Sequence, residues 1–110
     1  CNKAIPAFRE FLYRNPKSPF ADNAQYWIGQ CYFDIKDYNR SILALNDVLS
    51  KYPKSEKTPA TLLLQAFAFA ELGDHVSKVD ARLILQKLIS EYPSSPEAER
   101  ARQKLQQIGD

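Results

Sequence analysis

The sequence is poor in the residues on which most catalytic and metal sites depend. Its 110 residues include one histidine, two cysteines and three glycines. A single histidine supplies neither a metal-ligand set nor a nucleophile with its base, and three glycines are too few for a phosphate-cradling loop. We therefore expect a protein that is not an enzyme and that uses no metal and no cofactor. The titratable residues that stand out are predicted to be exposed or to cap helices: Asp34, Asp37, Asp47, Asp74 and His75, the last in a loop.

The sequence also lacks long apolar runs and one-sided charge. No apolar stretch approaches the roughly 20 residues of a membrane span, and no secretory leader opens the chain. Fifteen basic residues against 13 acidic ones give a formal charge of +2, and Glu56 interrupts the densest basic run, Lys51 to Lys57. Because phosphate binding needs a basic stripe, we expect no nucleic-acid partner and no direct membrane insertion. The 45% apolar and 25% charged residues are typical of one globular domain.

One short phrase built around proline occurs three times. Its copies are separated by 37 and 40 residues and read Asn15-Pro16-Lys17-Ser18, Tyr52-Pro53-Lys54-Ser55 and Tyr92-Pro93-Ser94-Ser95. Between successive copies lie two apolar patterns with the three- and four-residue steps of a helix. Each full repeat is therefore predicted to be a helical hairpin, and no strand is expected.

The helix boundaries follow from start signals and periodicity. Helices are predicted at about 3–14, 20–35, 38–51, 60–72, 78–91 and 96–108. Ser18-Pro19, Thr58-Pro59 and Ser95-Pro96 are typical of helix starts, where a hydroxyl caps free amides and proline fits the first turn. Ser77 with Asp80 is interpreted as a capping box, which would lengthen the connection after Gly73. Pro6 predicts an irregular first helix.

Aligned on Gly29, the chain resembles the tetratricopeptide repeat (TPR): Ile28-Gly29, Tyr32, Ser41, Leu45 and Pro53 match the pattern, and Ala81, Leu85 and Pro93 match it again. The resemblance implies an all-α, TPR-like, right-handed superhelix of about six helices. As one domain it would comprise a half repeat (1–16), two repeats (17–53 and 54–93) and a capping helix (94–110).

A closer resemblance covers nearly the whole chain. Asn23-Ala24-x-Tyr26-Trp27-Ile28-Gly29-Gln30, followed by two Tyr-Pro phrases, is similar to the C-terminal repeat domain of the periplasmic Tol-Pal system proteins, or cell division coordinators. This resemblance implies a periplasmic scaffold in Gram-negative bacteria that links outer-membrane constriction to cell-wall synthesis. Its partners would be a TolA-like protein or a cell-wall synthesis factor, and trimers would form through an N-terminal coiled coil absent from this sequence.

Three other functions stay open at this point. An outer-membrane β-barrel assembly lipoprotein shares the Tyr-Pro-x-Ser repeats, although it would need more repeats and a lipidated start. A generic bacterial TPR adaptor shares parts of the pattern as well. A structural spacer would retain no envelope protein.

Stacked hairpins leave a concave surface lined by the first helix of each pair. On the second helix and its counterpart one repeat later, we expect partner contacts from eight side chains: Asn23, Tyr26, Gln30, Phe33, Asp34, Leu63, Phe67 and Glu71. Aromatic residues are favoured interface anchors, and an extended or helical peptide suits this surface. The alternative is that Phe33 and Phe67 pack against the neighbouring hairpin or against each other.

The two cysteines allow two interpretations. Cys31 lies on the apolar face of its helix and is most simply a small buried residue. In an antiparallel hairpin, however, residue 31 falls opposite about residue 4, within one turn of Cys1, so a Cys1–Cys31 disulfide is the alternative in an oxidising compartment.

The disulfide is directly testable. If it forms, mass spectrometry of the unreduced protein, alkylated under denaturing conditions, will show both cysteines protected from the alkylating reagent. The same treatment after reduction provides the control. Two alkylated thiols in the unreduced sample would contradict the disulfide.

Overall fold

The computed structural model describes residues 1–109, and in that range it contains six α-helices and no strand. The helices are α1 (Ala4–Arg14), α2 (Ala21–Asp34), α3 (Tyr38–Lys51), α4 (Thr58–Leu72), α5 (His75–Glu91) and α6 (Pro96–Ile108). The predicted all-α fold of six helices is confirmed. None of these helices combines the length and hydrophobicity that crossing a membrane requires.

The chain divides into two compact units, which we describe separately. The first, Cys1–Thr58, contains α1, α2 and α3. The second begins at Pro59 and contains α5, α6 and nearly all of α4.

The three proline phrases form the same turn. The residue before each proline ends a helix with nearly the same backbone angles, φ of −134°, −129° and −133° and ψ of 56°, 62° and 55°. The serine N–H donates to the carbonyl of the phrase's first residue at 3.0 to 3.1 Å, in Ser18–Asn15, Ser55–Tyr52 and Ser95–Tyr92. Because proline's fixed φ suits the second position of such a turn, the repetition in sequence is a repetition in geometry.

The predicted helix starts are confirmed at one phrase and shifted at another. Ser95 caps α6 as expected: its Oγ accepts from the Ala98 N–H at 3.0 Å, and Pro96 is the first helical residue. The cap predicted at Ser18 is wrong, because α2 begins only at Ala21. Ser18 Oγ accepts from the Phe20 N–H at 3.1 Å, so it orders the turn before the helix.

The capping box predicted at Ser77 is also wrong. α5 begins at His75, and the Asp74 carboxylate accepts from the Ser77 N–H at 3.2 Å. Asp74 follows Gly73, whose φ of 80° turns the chain and sets the carboxylate against the free amides, where a negative charge is favoured. The connection is therefore not lengthened, and His75 lies in a helix instead of a loop.

Pro6 does not disturb α1, which runs unbroken from Ala4 to Arg14. The expected irregularity is absent because Pro6 is the third helical residue. The amides of the first turn have no partner within the helix, so a residue without an N–H costs little there.

The core of the first unit forms where α2 packs against both α1 and α3. Ile5, Ile28, Cys31 and Ala44 are buried together, and Phe8 is among the apolar side chains that pack against them. A buried hydrogen bond joins α2 to α3: the Gln25 amide donates to the Ala44 carbonyl at 2.9 Å. This contact explains why a polar residue is tolerated at a buried position of α2.

α2 and α3 approach each other closely at Gly29. A Cβ built there would lie 2.5 Å from Cδ2 and 2.7 Å from Cγ of Leu45, a side chain with no exposed surface. The short approach lets the Ser41 hydroxyl donate to the Gly29 carbonyl at 2.8 Å. Gly29 is thus required by packing, not by its backbone angles.

In the second unit α5 packs against α6. Both helices carry fully buried residues at three- and four-residue spacing: Ala81, Leu85 and Leu88 on α5, and Ala98 and Ala101 on α6. The apolar stripe predicted for the last helix is confirmed at its two alanines, and Leu105 completes it as a partly buried residue.

Gly29→Ala tests the packing constraint. Alanine favours a helix over glycine by about 1 kcal/mol, but overpacking a buried site costs about 1–3 kcal/mol. Leu45 is fully buried and cannot swing away, so we expect the free energy of unfolding in urea to fall by about 1 kcal/mol. Leu45→Ala should cost less in the Gly29→Ala background than in the native one, because the new methyl group fills part of the cavity. Additive losses would contradict the contact.

The Asp74 cap predicts a pH dependence of stability. Hydrogen bonds from Ser77 hold the pKa of the Asp74 carboxyl below its ordinary value of 3.8. A group whose pKa is lowered by folding stabilises the native state above its ordinary pKa, and the contribution is lost as the pH falls through the folded pKa. Asp74→Asn keeps a capping side chain without the charge, so its urea midpoint should fall less than that of native protein between pH 5 and pH 2. Asp74→Ala should lower the midpoint already at pH 7. Equal pH profiles for native protein and Asp74→Asn would overturn this.

Candidate protein-binding surface

A ladder of polar side chains runs along one side of α2. Tyr26 Oη donates to Gln30 Oε1 at 3.4 Å, and Gln30 Nε2 donates to Asp34 Oδ1 at 2.9 Å. The three residues are four positions apart, which places them on one face of the helix. The structure therefore joins three of the residues expected to contact a partner.

An aromatic cluster lies at the start of this ladder. The Tyr26 and Trp27 rings meet edge to face with centroids 5.7 Å apart, and Lys57 Nζ lies 5.1 Å from the Tyr26 centroid and 5.9 Å from that of Trp27. Trp27 is 41% exposed and Tyr26 is partly buried. We call Tyr26, Trp27 and Lys57 the aromatic cluster.

The loop that carries Lys57 is tied to the first turn of α2. The Ser55 hydroxyl donates to Asp22 Oδ2 at 2.5 Å and accepts from the Lys57 N–H at 3.0 Å. These two bonds hold the backbone of Lys57 beside α2, which positions its ammonium group over the two rings. Cation–π contacts of this kind contribute about 0.5–2 kcal/mol.

The other two predicted residues of α2 have contacts of their own. Phe33 packs edge to face on Tyr38 of the same hairpin, with centroids 5.3 Å apart. This contact lies within one hairpin and involves neither the neighbouring hairpin nor Phe67. Asn23 is partly buried, and its Oδ1 has no hydrogen-bond partner within residues 1–109.

The remaining three predicted residues belong to the second unit. Leu63 is only 6% exposed, so its side chain is part of the interior. Phe67 is partly buried, with Lys104 Nζ of α6 5.2 Å from its ring centroid, and Glu71 is exposed near the end of α4.

The cysteines are both free thiols in this structure. Cys1 is exposed and its Sγ donates to Asp34 Oδ2 at 3.6 Å, whereas Cys31 is buried in the core of the first unit. Burial raises the pKa of the Cys31 thiol, which disfavours the reactive thiolate. Within residues 1–109, no three His, Cys, Asp or Glu side chains are grouped to hold a metal ion.

Trp27 and Lys57 are not among the side chains that the sequence predicts to contact a partner. Trp27 is part of the phrase that resembles the Tol-Pal proteins, and Lys57 ends an interrupted basic run. The sequence does hold a signal for Trp27, because it directly follows Tyr26. Two consecutive aromatic residues on the solvent side of a helix indicate a broader apolar surface there. Lys57 gave no local signal, since the turn between Tyr52 and Ser55 is what returns the chain to α2.

Helical hairpins joined by a repeated proline turn, with a glycine at a close helix contact, define a TPR-like helical-repeat protein. The chain belongs to the YfiO family, described as outer membrane lipoproteins, whose family model matches residues 1–110. Among curated proteins, none matches the chain significantly. The family supports the TPR-like class and an envelope location, and it does not extend to the specific Tol-Pal assignment.

Proposed function

We propose that this protein is a non-catalytic scaffold of the Gram-negative cell envelope that binds another protein through the aromatic cluster and the polar ladder of α2. The observation that carries the proposal is the ordered cluster itself, in which Trp27 stays 41% exposed although Tyr26 and Lys57 hold it in place. Rigid, accessible aromatic rings lose little conformational entropy on binding, and they are the most frequent interface anchors.

The ladder complements the rings with hydrogen-bonding groups. Gln30 and Asp34 present amide and carboxylate atoms on the same face as Tyr26. A peptide with an apolar side chain for the rings and backbone N–H groups for the ladder matches this chemistry. The proposed partner is therefore a peptide segment of an envelope protein.

Two partner classes follow from what is known of the chain. Its Tyr26-Trp27-x-Gly29 phrase resembles the Tol-Pal proteins, which favours a periplasmic role in cell division with a TolA-like partner or a cell-wall synthesis factor. Its family membership equally favours an outer-membrane assembly lipoprotein. Both classes use the chain as an adaptor, so they differ in partner and not in the type of site.

Retention of purified envelope proteins tests the proposal. Immobilised protein should retain either a TolA-like protein or a β-barrel assembly component from the same organism. Tyr26→Ala and Trp27→Ala should each weaken this binding by about 2 kcal/mol, or roughly thirtyfold in Kd, if the rings are anchors.

Phe20→Ala is the matched control, because Phe20 is an exposed ring at the start of α2 outside the cluster. It should leave Kd unchanged, and circular dichroism should show that all three variants are folded. The retained protein decides between the two classes. Retention of neither class, or equal affinity for Tyr26→Ala, Trp27→Ala and native protein, would remove the proposal.

A further inference from the structure

A second surface, separate from the aromatic cluster, lies in the first unit. α1 and α3 form the walls of a groove of about 740 Å³ and α2 forms its floor. Arg9, Leu12 and Tyr13 stand on one wall, and Arg40, Leu43 and Lys51 are among the residues of the other. The volume falls within the range of about 300–1,000 Å³ for ligand sites.

The floor of the groove is the opposite face of α2 from the polar ladder. Gln25, Ile28 and Tyr32 line it, and their three- and four-residue spacing turns them away from Tyr26 and Gln30. An occupant of this groove would therefore leave the aromatic cluster uncovered.

The groove has an apolar character at its rim. Tyr13 on α1 is 85% exposed and Leu43 on α3 is 65% exposed. Both side chains flank the same opening, Leu12 is partly buried beside them, and the floor adds the buried Ile28. Large exposed apolar side chains that converge on one concavity indicate a contact surface.

The charge in the groove is unbalanced at Arg9. Lys51 pairs with Asp47 at 3.8 Å, and Arg40 pairs with Asp37 at 2.8 Å. Arg9 forms no salt bridge within residues 1–109; instead its Nη2 donates to Tyr32 Oη at 2.9 Å and its guanidinium carbon lies 5.9 Å from that ring's centroid. The tyrosine orients the guanidinium over the floor, and a carboxylate is the group that complements it best.

The walls determine the backbone conformation of the occupant. All three surrounding elements are helices, whose backbone groups bond along the helix, so they offer no strand edge on which an extended peptide could pair. A helical occupant satisfies its own backbone groups and therefore needs no such partner from the walls. The wall from Arg40 to Lys51 covers twelve residues, whose eleven steps of 1.5 Å span about 16 Å, and this length matches about three helical turns.

We propose that this groove binds an acidic amphipathic helix of a partner protein, with apolar side chains between Tyr13 and Leu43 and a carboxylate on Arg9. The site does not rest on the function proposed above, because it uses the other face of α2. Both surfaces can be filled at once, and the protein then joins two partners.

A designed peptide tests the groove. The probe is a helical peptide of about 14 residues with leucines every three or four positions and glutamates beside them, compared with the same peptide carrying glutamine for every glutamate. Isothermal titration should show that the glutamate peptide binds native protein at least about tenfold more tightly than the glutamine peptide, and less tightly as NaCl is raised.

Arg9→Gln and Arg14→Gln form the matched pair of variants. Both remove one positive charge from the exposed side of α1, but Arg14 pairs with Glu10 and does not line the groove. Arg9→Gln should weaken binding of the glutamate peptide by about tenfold or more, and Arg14→Gln by less than about twofold. Leu43→Ser should weaken the binding of both peptides, and thermal unfolding should confirm that each variant is folded.

Several results would overturn the proposal. The first is that the glutamate peptide does not bind at concentrations up to about 1 mM. The others are equal binding of both peptides and equal effects of Arg9→Gln and Arg14→Gln. A native dimer in light scattering that Leu43→Ser dissociates would show that a second copy fills the groove instead. Tyr26→Ala should leave peptide binding unchanged, so a failure here is distinguishable from a failure of the aromatic-cluster site.

Discussion

The first unit depends on the close approach of α2 and α3 at Gly29. Because no side chain separates the two helices there, Leu45 fills the space and the Ser41 hydroxyl reaches the Gly29 carbonyl at 2.8 Å. The Gln25 bond to Ala44 locks the same pair of helices one turn earlier. This contact sets the rotation of α2, and the rotation decides which residues face the core and which face solvent.

The rotation of α2 gives the helix two surfaces with different chemistry. One side carries Tyr26, Gln30 and Asp34 and is ordered by the loop that brings Lys57 to the rings. The other side forms the floor of the groove between α1 and α3, where Arg9 donates a hydrogen bond to Tyr32. Partners bound by shape and charge on both of the proposed surfaces would make this member of the outer membrane lipoprotein family an adaptor.

Much of the fold could be predicted because its signals are local. The proline phrase predicts each turn, since proline's φ and the serine N–H act within four residues, and Ser95 caps α6 as its sequence indicates. The start of α5 was predicted wrongly because Ser77 and Asp74 are both good caps, and only the backbone at Gly73 decides which side chain faces the free amides. A sequence pattern does not show which of two suitable residues caps the helix.

The class of fold and the position of nearly every helix follow from the order of the residues alone, because helical periodicity, capping and proline turns depend on neighbours within a few residues. Which aromatic side chains are accessible depends instead on how the helices pack. Phe33 rests on Tyr38, whereas Trp27 remains accessible beside Lys57. Such contacts join residues distant in sequence or on separate helices, and their geometry follows from how the helices pack rather than from the order of the residues.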